Sequence, residues 1–359
     1  MTAPTASTSG TEVERPGDAG LEDAGLDRIR AECAAFRDRV ARLRASLGEV
    51  LVGQSRVVAE VLVALFADGH VLLEGPPGLG KTLLVRTLAD AMRLDFGRVQ
   101  FTPDLMPADI TGTSVITDDG EGGRRRIEFR PGPIFTQLLL ADEINRAAPR
   151  TQSALLEAMA ERSVSAGGET RSLERPFLVL ATQNPIEQEG TFPLPEAQLD
   201  RFLLKVHVPN PTREELDEIL DRTTTGRHVE ATPVFDAASI RAGQALARRV
   251  FLSPGIADYA ARLVLATQPG GPHATAEIDR LVAVGSSPRG LIALVSAAKV
   301  AALLDGRYAV SGDDLRAMAL PALRHRIVRS FEAESGRRDA DSIVRAVVAA
   351  TPRAPEEDR

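Results

Sequence analysis

Val71-Leu-Leu-Glu-Gly-Pro-Pro-Gly-Leu-Gly-Lys-Thr82 is the stretch on which the fold turns. Val71–Leu73 makes a short apolar strand, and a glycine-rich loop carries the chain from its end into a helix that starts at Lys81. From Gly75 the loop has the pattern G-x-x-x-x-G-K-[ST], and a strand before it with a helix after it is the context that gives the pattern meaning. Gly75, Gly78 and Gly80 let the backbone curl so that successive N–H groups face one point, with Pro76, Pro77 and Leu79 completing the loop. The helix N-terminus adds a dipole that favours an anion there. Lys81 is placed to neutralise β- and γ-phosphates, and Thr82 to offer its hydroxyl to Mg²⁺. A glycine-rich turn with a chance Lys-Thr is the bland alternative, and it leaves the strand and helix register unexplained.

Working outward, apolar strands are expected at 98–101, 137–141, 177–182 and 202–208. Apolar strands that alternate with helices imply a parallel sheet covered on both faces. Two stretches break the alternation. Residues 104–133 hold Gly112, the acidic-glycine run 118–123 and Arg130-Pro-Gly-Pro133. Residues 161–176 centre on Ala166-Gly-Gly168. Both read as inserted hairpins. After Val208 the composition changes. Thr212 with Glu215 forms a capping box, and the patterns from there to about 345 are helical. The expected organisation is therefore a tail over 1–21, an α/β domain over 22–210, a helical lid over 211–345 and a tail over 346–359. In the first domain, Leu26, Ile29, Cys33, Phe36, Val40, Leu43 and Leu47 form one helical stripe. Such a stripe suits a coiled coil, but one this short suits a helix on its own core better.

The bulk numbers agree with a globular protein. Hydrophobic residues are 43% and charged residues 26% of 359, and aromatics are only 4%, so the core is aliphatic. A net charge of −7 argues against a surface built wholly for nucleic acid. One cysteine, Cys33, excludes an intrachain disulfide. The N-terminus lacks the basic and apolar regions of a signal peptide, and no apolar run is long enough to span a membrane, so a cytoplasmic protein is expected. The five histidines are scattered without ligand spacing, so no zinc is expected.

Leu138-Leu-Leu-Ala-Asp142-Glu143 is an apolar strand that ends in two acids, at the sheet edge where ligands bind in open α/β folds. Period-two alternation puts the two carboxylates on opposite sides of the strand tip. Asp142 suits the Mg²⁺ shell and Glu143 the activation of an attacking water. A polar turn is the alternative, and the phosphate loop upstream tips the balance. Asn184, at the end of Leu178-Val-Leu-Ala-Thr-Gln-Asn184, can hold that water if the two strands are neighbours. Taken alone, Asn184-Pro185 reads as a turn pair.

Together these segments resemble the MoxR branch of the AAA+ ATPases. The resemblance rests on Gly53-Gln54, the loop 74–82, Phe101-Thr-Pro-Asp-Leu-Met-Pro-Ala-Asp-Ile-Thr-Gly112 and Phe129-Arg-Pro-Gly-Pro133. It rests further on Ala141-Asp-Glu-Ile-Asn-Arg146, the stretch 181–190, Pro195-Glu-Ala-Gln-Leu-Asp-Arg-Phe202 and Ser287-Pro-Arg-Gly290. Ala148 stands where a second proline is expected before Pro149. The resemblance implies a five-stranded parallel-sheet α/β core, a small all-helical lid, and a hexameric ring that hydrolyses MgATP between neighbours. It makes Asn184 the first sensor, Arg201 the finger that reaches the next subunit's ATP, and Arg289 the second sensor, closing the lid in the ATP state. It puts Gly53 and Gln54 near the adenine pocket. Arg201 beside Asp200 also fits a surface ion pair, and Arg289 an ordinary first-turn residue.

The family implies a chaperone-like action on a protein partner, often one with a von Willebrand factor A domain. A nucleic-acid motor is the competing class, because the inserts resemble those of replicative helicases. Against it, Glu161, Glu169 and Glu174 balance Arg162, Arg171 and Arg175 in the second hairpin, and acids precede Arg124-Arg-Arg126. Lys81, Asp142 and Glu143 are all intact, which argues against a switch that only binds ATP.

Overall fold

The computed structural model describes residues 18–118, 125–185, 190–224 and 229–353. Helix α1 (Asp18–Val50) already runs through the end of the stretch expected as an N-terminal tail; residues 1–17 lie outside the described ones. Its stripe of Cys33, Phe36, Val40, Leu43 and Leu47 is buried on the molecule's own core. Helix α2 (Ser55–Phe66) is buried on nearly every side, as a core helix should be, and its Glu60 pairs with Arg56 at 2.9 Å.

Strand β1 (Val71–Glu74) leads through the glycine loop into α3 (Lys81–Met92), and β2 (Phe96–Gln100) follows. Next come α4 (Pro107–Thr111) and a hairpin of β3 (Gly112–Asp118) with β4 (Arg125–Pro131). Then β5 (Leu138–Asp142) runs into a 3-10 turn at Ile144–Arg146 and α5 (Pro149–Glu161). A second hairpin, β6 (Ser163–Ala166) with β7 (Glu169–Ser172), precedes β8 (Leu178–Gln183), α6 (Glu196–Leu199) and β9 (Leu204–His207). Five of these strands form one parallel sheet in the order β2-β5-β8-β1-β9. Each lies within two residues of the bounds read from the sequence. The strand period of two divides their side chains between two cores. Val71, Leu73, Leu138, Leu140 and Leu180 enter one, while Leu72, Leu139, Ala141, Val179 and Ala181 enter the other.

Both hairpins stand outside this sheet, and they touch each other. The Arg171 guanidinium lies 4.1 Å from the centre of the Phe129 ring. The tip of the first hairpin, 119–124, with most of the acidic-glycine run and Arg124, lies outside the described residues.

After β9 come α7 (Arg213–Thr224), α8 (Ala237–Arg248), α9 (Pro254–Leu265), α10 (Ala276–Leu281), β10 (Val282–Val284), α11 (Pro288–Leu304), α12 (Gly312–Leu323), β11 (Val328–Arg329), α13 (Phe331–Ser335) and α14 (Ala340–Ala350). Helices α8 to α14 each open on a side-chain cap: Asp236, Ser253, Thr275, Ser287, Ser311, Ser330 and Asp339 each accept a first-turn N–H. Each such cap contributes about 1 kcal/mol. The segment expected to be wholly helical contains one antiparallel pair, β10 with β11. Val282, Val284 and Val328 are β-branched, and such residues favour extended backbone. The tail expected from 346 starts later, because Ile343, Val344 and Val347 bury a helical stripe and α14 continues to Ala350. Helix α11 packs on α1, α2, α8, α9 and α12, so one apolar core runs from the sheet through α1 and α2 into α8–α14. Helix α7 is different: it has no buried residue.

Candidate active site

At the C-terminal edge of the sheet the glycine loop leaves β1. Gly78 and Gly80 take left-handed φ of 81° and 72°, and a Cβ on Gly75 would come 2.9 Å from the Val208 carbonyl oxygen. Only glycine fits such positions without strain, and the resulting curl aims backbone N–H groups at a common anion. Lys81 Nζ donates to the Gly75 carbonyl at 2.6 Å. Burial lowers the Lys81 ammonium from its ordinary value, while Asp142, Glu143 and Glu74 pull the other way. The two acids of β5 therefore stand within electrostatic reach of the loop lysine. Thr82 is half-buried at the start of α3.

The two acids do not point to opposite sides, as alternation alone predicts. Glu143 has φ 57°, ψ 50°, which ends the strand and swings its side chain round beside that of Asp142. Both are then reached from one face of β2: Arg98 Nη2 donates to Asp142 Oδ2 at 2.8 Å, and Gln100 Nε2 donates to Glu143 Oε2 at 2.9 Å. From β8, Thr182 joins them again. Its hydroxyl donates to Asp142 Oδ1 at 2.7 Å and accepts from the Glu143 N–H at 2.8 Å. Arg146 adds a contact to Glu143 at 3.1 Å. Strands β5 and β8 are neighbours with Ala141 opposite Ala181, so buried Asn184 leaves its strand tip beside that of Asp142.

Behind the loop lies a cavity of about 290 Å³, walled by Val50–Gln54, Gly78–Gly80 and one side of α7. Gln54 Nε2 donates to the Leu79 carbonyl at 2.8 Å and so ties this wall to the glycine loop. Gly53 is left-handed at φ 72°, and a Cβ there would collide with the Glu215 carboxyl. Arg222 of α7 donates to the Glu49 carbonyl at 2.5 Å, at the end of α1. The wall is mostly apolar, which suits a flat aromatic ring next to a phosphate cradle.

Glu74, the last residue before the loop, pairs with Lys205 at 2.7 Å and His207 at 2.9 Å. Burial alone would raise its carboxyl, but the hydrogen bonds from His207 and Lys205 outweigh that and hold it at about 2. His70 and His325 are buried and face backbone groups, Met159 O with Val179 N–H, and Phe202 O, respectively. His228 lies outside the described residues.

The two arginines are brought together elsewhere. Leu203 N–H donates to the His70 carbonyl, and His70 precedes β1, so Arg201 sits at the N-terminal edge of the sheet. The glycine loop (the P-loop, Gly75–Thr82) sits at the other edge, a strand length of roughly 10–13 Å away at ~3.3 Å per residue. Arg201 donates to the Leu156 carbonyl at 2.8 Å. Arg289 opens α11 and lies 3.9 Å from Asp200, the residue before Arg201. Neither arginine lines the cavity. Arg289, expected to close the lid in the ATP state, here lies beside Asp200 at the start of α11, which packs on α1, α2, α8, α9 and α12.

Sequence reasoning missed Arg98, Gln100 and Thr182, which orient the acids, and Glu215 and Arg222, which wall the cavity. The advance signal for the first three is strand periodicity: 98 and 100 share a face of β2, and Thr182 stands level with Asp142 on the next strand.

Residues 70–204 match the profile of the ATPase family associated with various cellular activities, and 274–347 match that of the AAA lid domain. Chaperone MoxR1 of Mycobacterium tuberculosis is 43% identical over 284 residues, 79% of this chain and 74% of its own length. Protein MoxR of Methylorubrum extorquens is 37% identical over 330 residues, 87% of this chain and 91% of its own. The solved structure of an ATPase candidate from Cytophaga hutchinsonii superposes with a TM-score of 0.86 at 36% identity, over 92% of this chain and 99% of that one.

Proposed function

The chain belongs to the MoxR family of AAA+ ATPases, and on that premise we propose that it is a ring-forming motor that hydrolyses MgATP between neighbouring subunits and uses the cycle to remodel or activate a protein partner. The observation that carries the reading is the gathering of Lys81, Asp142, Glu143 and Asn184 at one sheet edge while Arg201 stands at the other. Half the chemistry is then present in each subunit at each of two edges, and a ring of such subunits completes it. Six is the ring number that the family resemblance implies.

The glycine loop and the α3 N-terminus bind phosphate through backbone N–H groups, and Lys81 balances its charge. The Thr82 hydroxyl and the Asp142 carboxylate would hold Mg²⁺, which would supply charge neutralisation of the phosphate oxygens. Glu143 takes the proton of the attacking water, and Gln100 with Arg146 sets the carboxylate for that task. Asn184 steadies the water from the adjoining strand. Arg201 of one subunit, with Arg289 beside it, faces the phosphate held by the next.

The cavity by Gly53 and Gln54 takes the base. Gly53→Ala adds a Cβ in left-handed backbone, which costs about 1–2 kcal/mol, and pushes Glu215 and α7 off the pocket. Displacing this wall is expected to weaken ATP affinity about tenfold, equivalent to about 1.4 kcal/mol. Titration with a fluorescent ATP analogue measures it; unchanged affinity would place the base elsewhere.

A protein rather than a nucleic acid as target follows from the charge. The chain carries −7 overall, and in the second hairpin Arg171 is paired to Glu169 at 2.6 Å. A nucleic-acid motor needs several phosphate contacts whose affinity falls steeply with salt. No described helix is long and apolar enough to cross a membrane. The relative named a chaperone points the same way, and a von Willebrand factor A-domain protein is the class of partner the family suggests. The test is the ATPase rate with added DNA, RNA or co-purifying protein at about 0.15 M salt. Stimulation by protein is expected; strong, salt-sensitive stimulation by DNA with none from protein would favour the helicase-like reading.

A further inference from the structure

We propose that Asp200 and Ser287 are positioning residues that hold Arg201 and Arg289 as one unit presented to the neighbouring subunit; the proposal rests on the trans-acting reading above. Asp200 carries Arg201 on its own backbone. Its Oδ2 accepts from Ser287 Oγ at 2.8 Å, across 87 residues of sequence. The same Ser287 oxygen accepts from the Arg289 N–H at 3.1 Å. A single hydroxyl therefore joins the backbone of one arginine to the carboxylate next to the other.

The charges around Asp200 are unequal. Arg326 Nε donates to Oδ1 at 2.7 Å, and its other nitrogens are fixed on the Phe202 and Leu203 carbonyls at 2.7 and 3.2 Å. The Arg326 side chain is 3% exposed, whereas that of Arg289 is 60% exposed and 3.9 Å from Oδ2. Arg326 is thus the permanent counterion and anchor. With the carboxylate already neutralised, Arg289 is aligned but not consumed in a close ion pair, and its guanidinium stays free to meet an external anion. Asp200 also offsets the repulsion between two guanidinium groups held on one edge.

The test separates the subunit that gives arginines from the one that receives them. Provider subunits carry Lys81→Ala, and receivers carry Arg201→Ala with Arg289→Ala, so only a receiver's site facing a provider's arginines can turn over. Turnover in this mixture is expected. Ser287→Ala in the provider should then lower kcat about tenfold or more with little change in KM, since small misplacements of a catalytic group are this costly. Ser287→Thr should restore it, and Ser287→Ala in the receiver should not matter. Ser287 is preferred to Asp200 for substitution because Asp200→Asn leaves Arg326 buried without a counterion. Equal losses from Ser287→Ala on either side would reduce the bridge to an ordinary structural role and overturn the proposal. If the mixture is silent, a receiver with Arg201→Ala alone decides the cause. Activity there means that Arg289 serves its own subunit, which breaks the unit; silence there too removes trans action and the proposal with it.

Discussion

Glu143→Gln is expected to keep nucleotide bound and to lose at least ~100-fold in turnover, the scale of a missing general base. The amide is nearly isosteric and can still accept from Gln100 Nε2, so the two β2–β5 contacts that set the site survive the change. What it cannot do is take a proton. Lys81→Ala acts earlier, because its ammonium faces the phosphate cradle and lies under the influence of Asp142 and Glu143. That variant is expected to lose affinity and turnover together. Equilibrium nucleotide binding and steady-state phosphate release, measured on both variants, separate the two effects. Near-normal hydrolysis in Glu143→Gln would strip this residue of its role, whatever Lys81→Ala does.

Arg201→Ala is expected to bind ATP like the unchanged chain and to hydrolyse it ~10³-fold more slowly, the usual worth of an arginine finger. The sheet explains why binding is spared. Arg201 precedes β9 at the edge away from the P-loop, so its own chain's nucleotide lies beyond its reach. Mixing Arg201→Ala with Lys81→Ala subunits should restore part of the rate, because the first brings an intact P-loop and the second an intact finger. The mixed assembly must be shown by mass or by tag exchange. Failure to recover any activity in a proven mixture would count against action across the interface.

Much of this was legible in the sequence because the chemistry is local. The loop 74–82 and the strand ending at Asp142 carry their residues within one turn or one strand, and buried parallel strands advertise themselves as apolar runs. The left-handed backbone at Glu143 was not legible: a glutamate in that conformation is rare, and alternation predicts the opposite side. Nor was the set that steadies it. Arg98, Gln100 and Thr182 meet the acids only once β2, β5 and β8 lie side by side. Asp200 is the extreme case, since Arg326 is 126 residues away and no spacing rule links them. Arg289 lies at the start of a helix of the C-terminal part, as the resemblance implies, but which edge of the sheet it meets depends on how α11 packs.

Helix α7 has a mechanical consequence. Stiffness in a protein follows buried contact, and segments with few such contacts open at the lowest free energy. The sheet, α1 and α8–α14 share a continuous interior and resist deformation as a block. Helix α7 has none of that interior; Arg222 ties it to the end of α1, and the Glu215 carboxyl lies close against Gly53. The compliant part of the chain is therefore one wall of the cavity behind the glycine loop and not the lid as a whole. On the function proposed above, nucleotide entry and product escape need only this wall to swing, while the arginine edge keeps its shape for the neighbour.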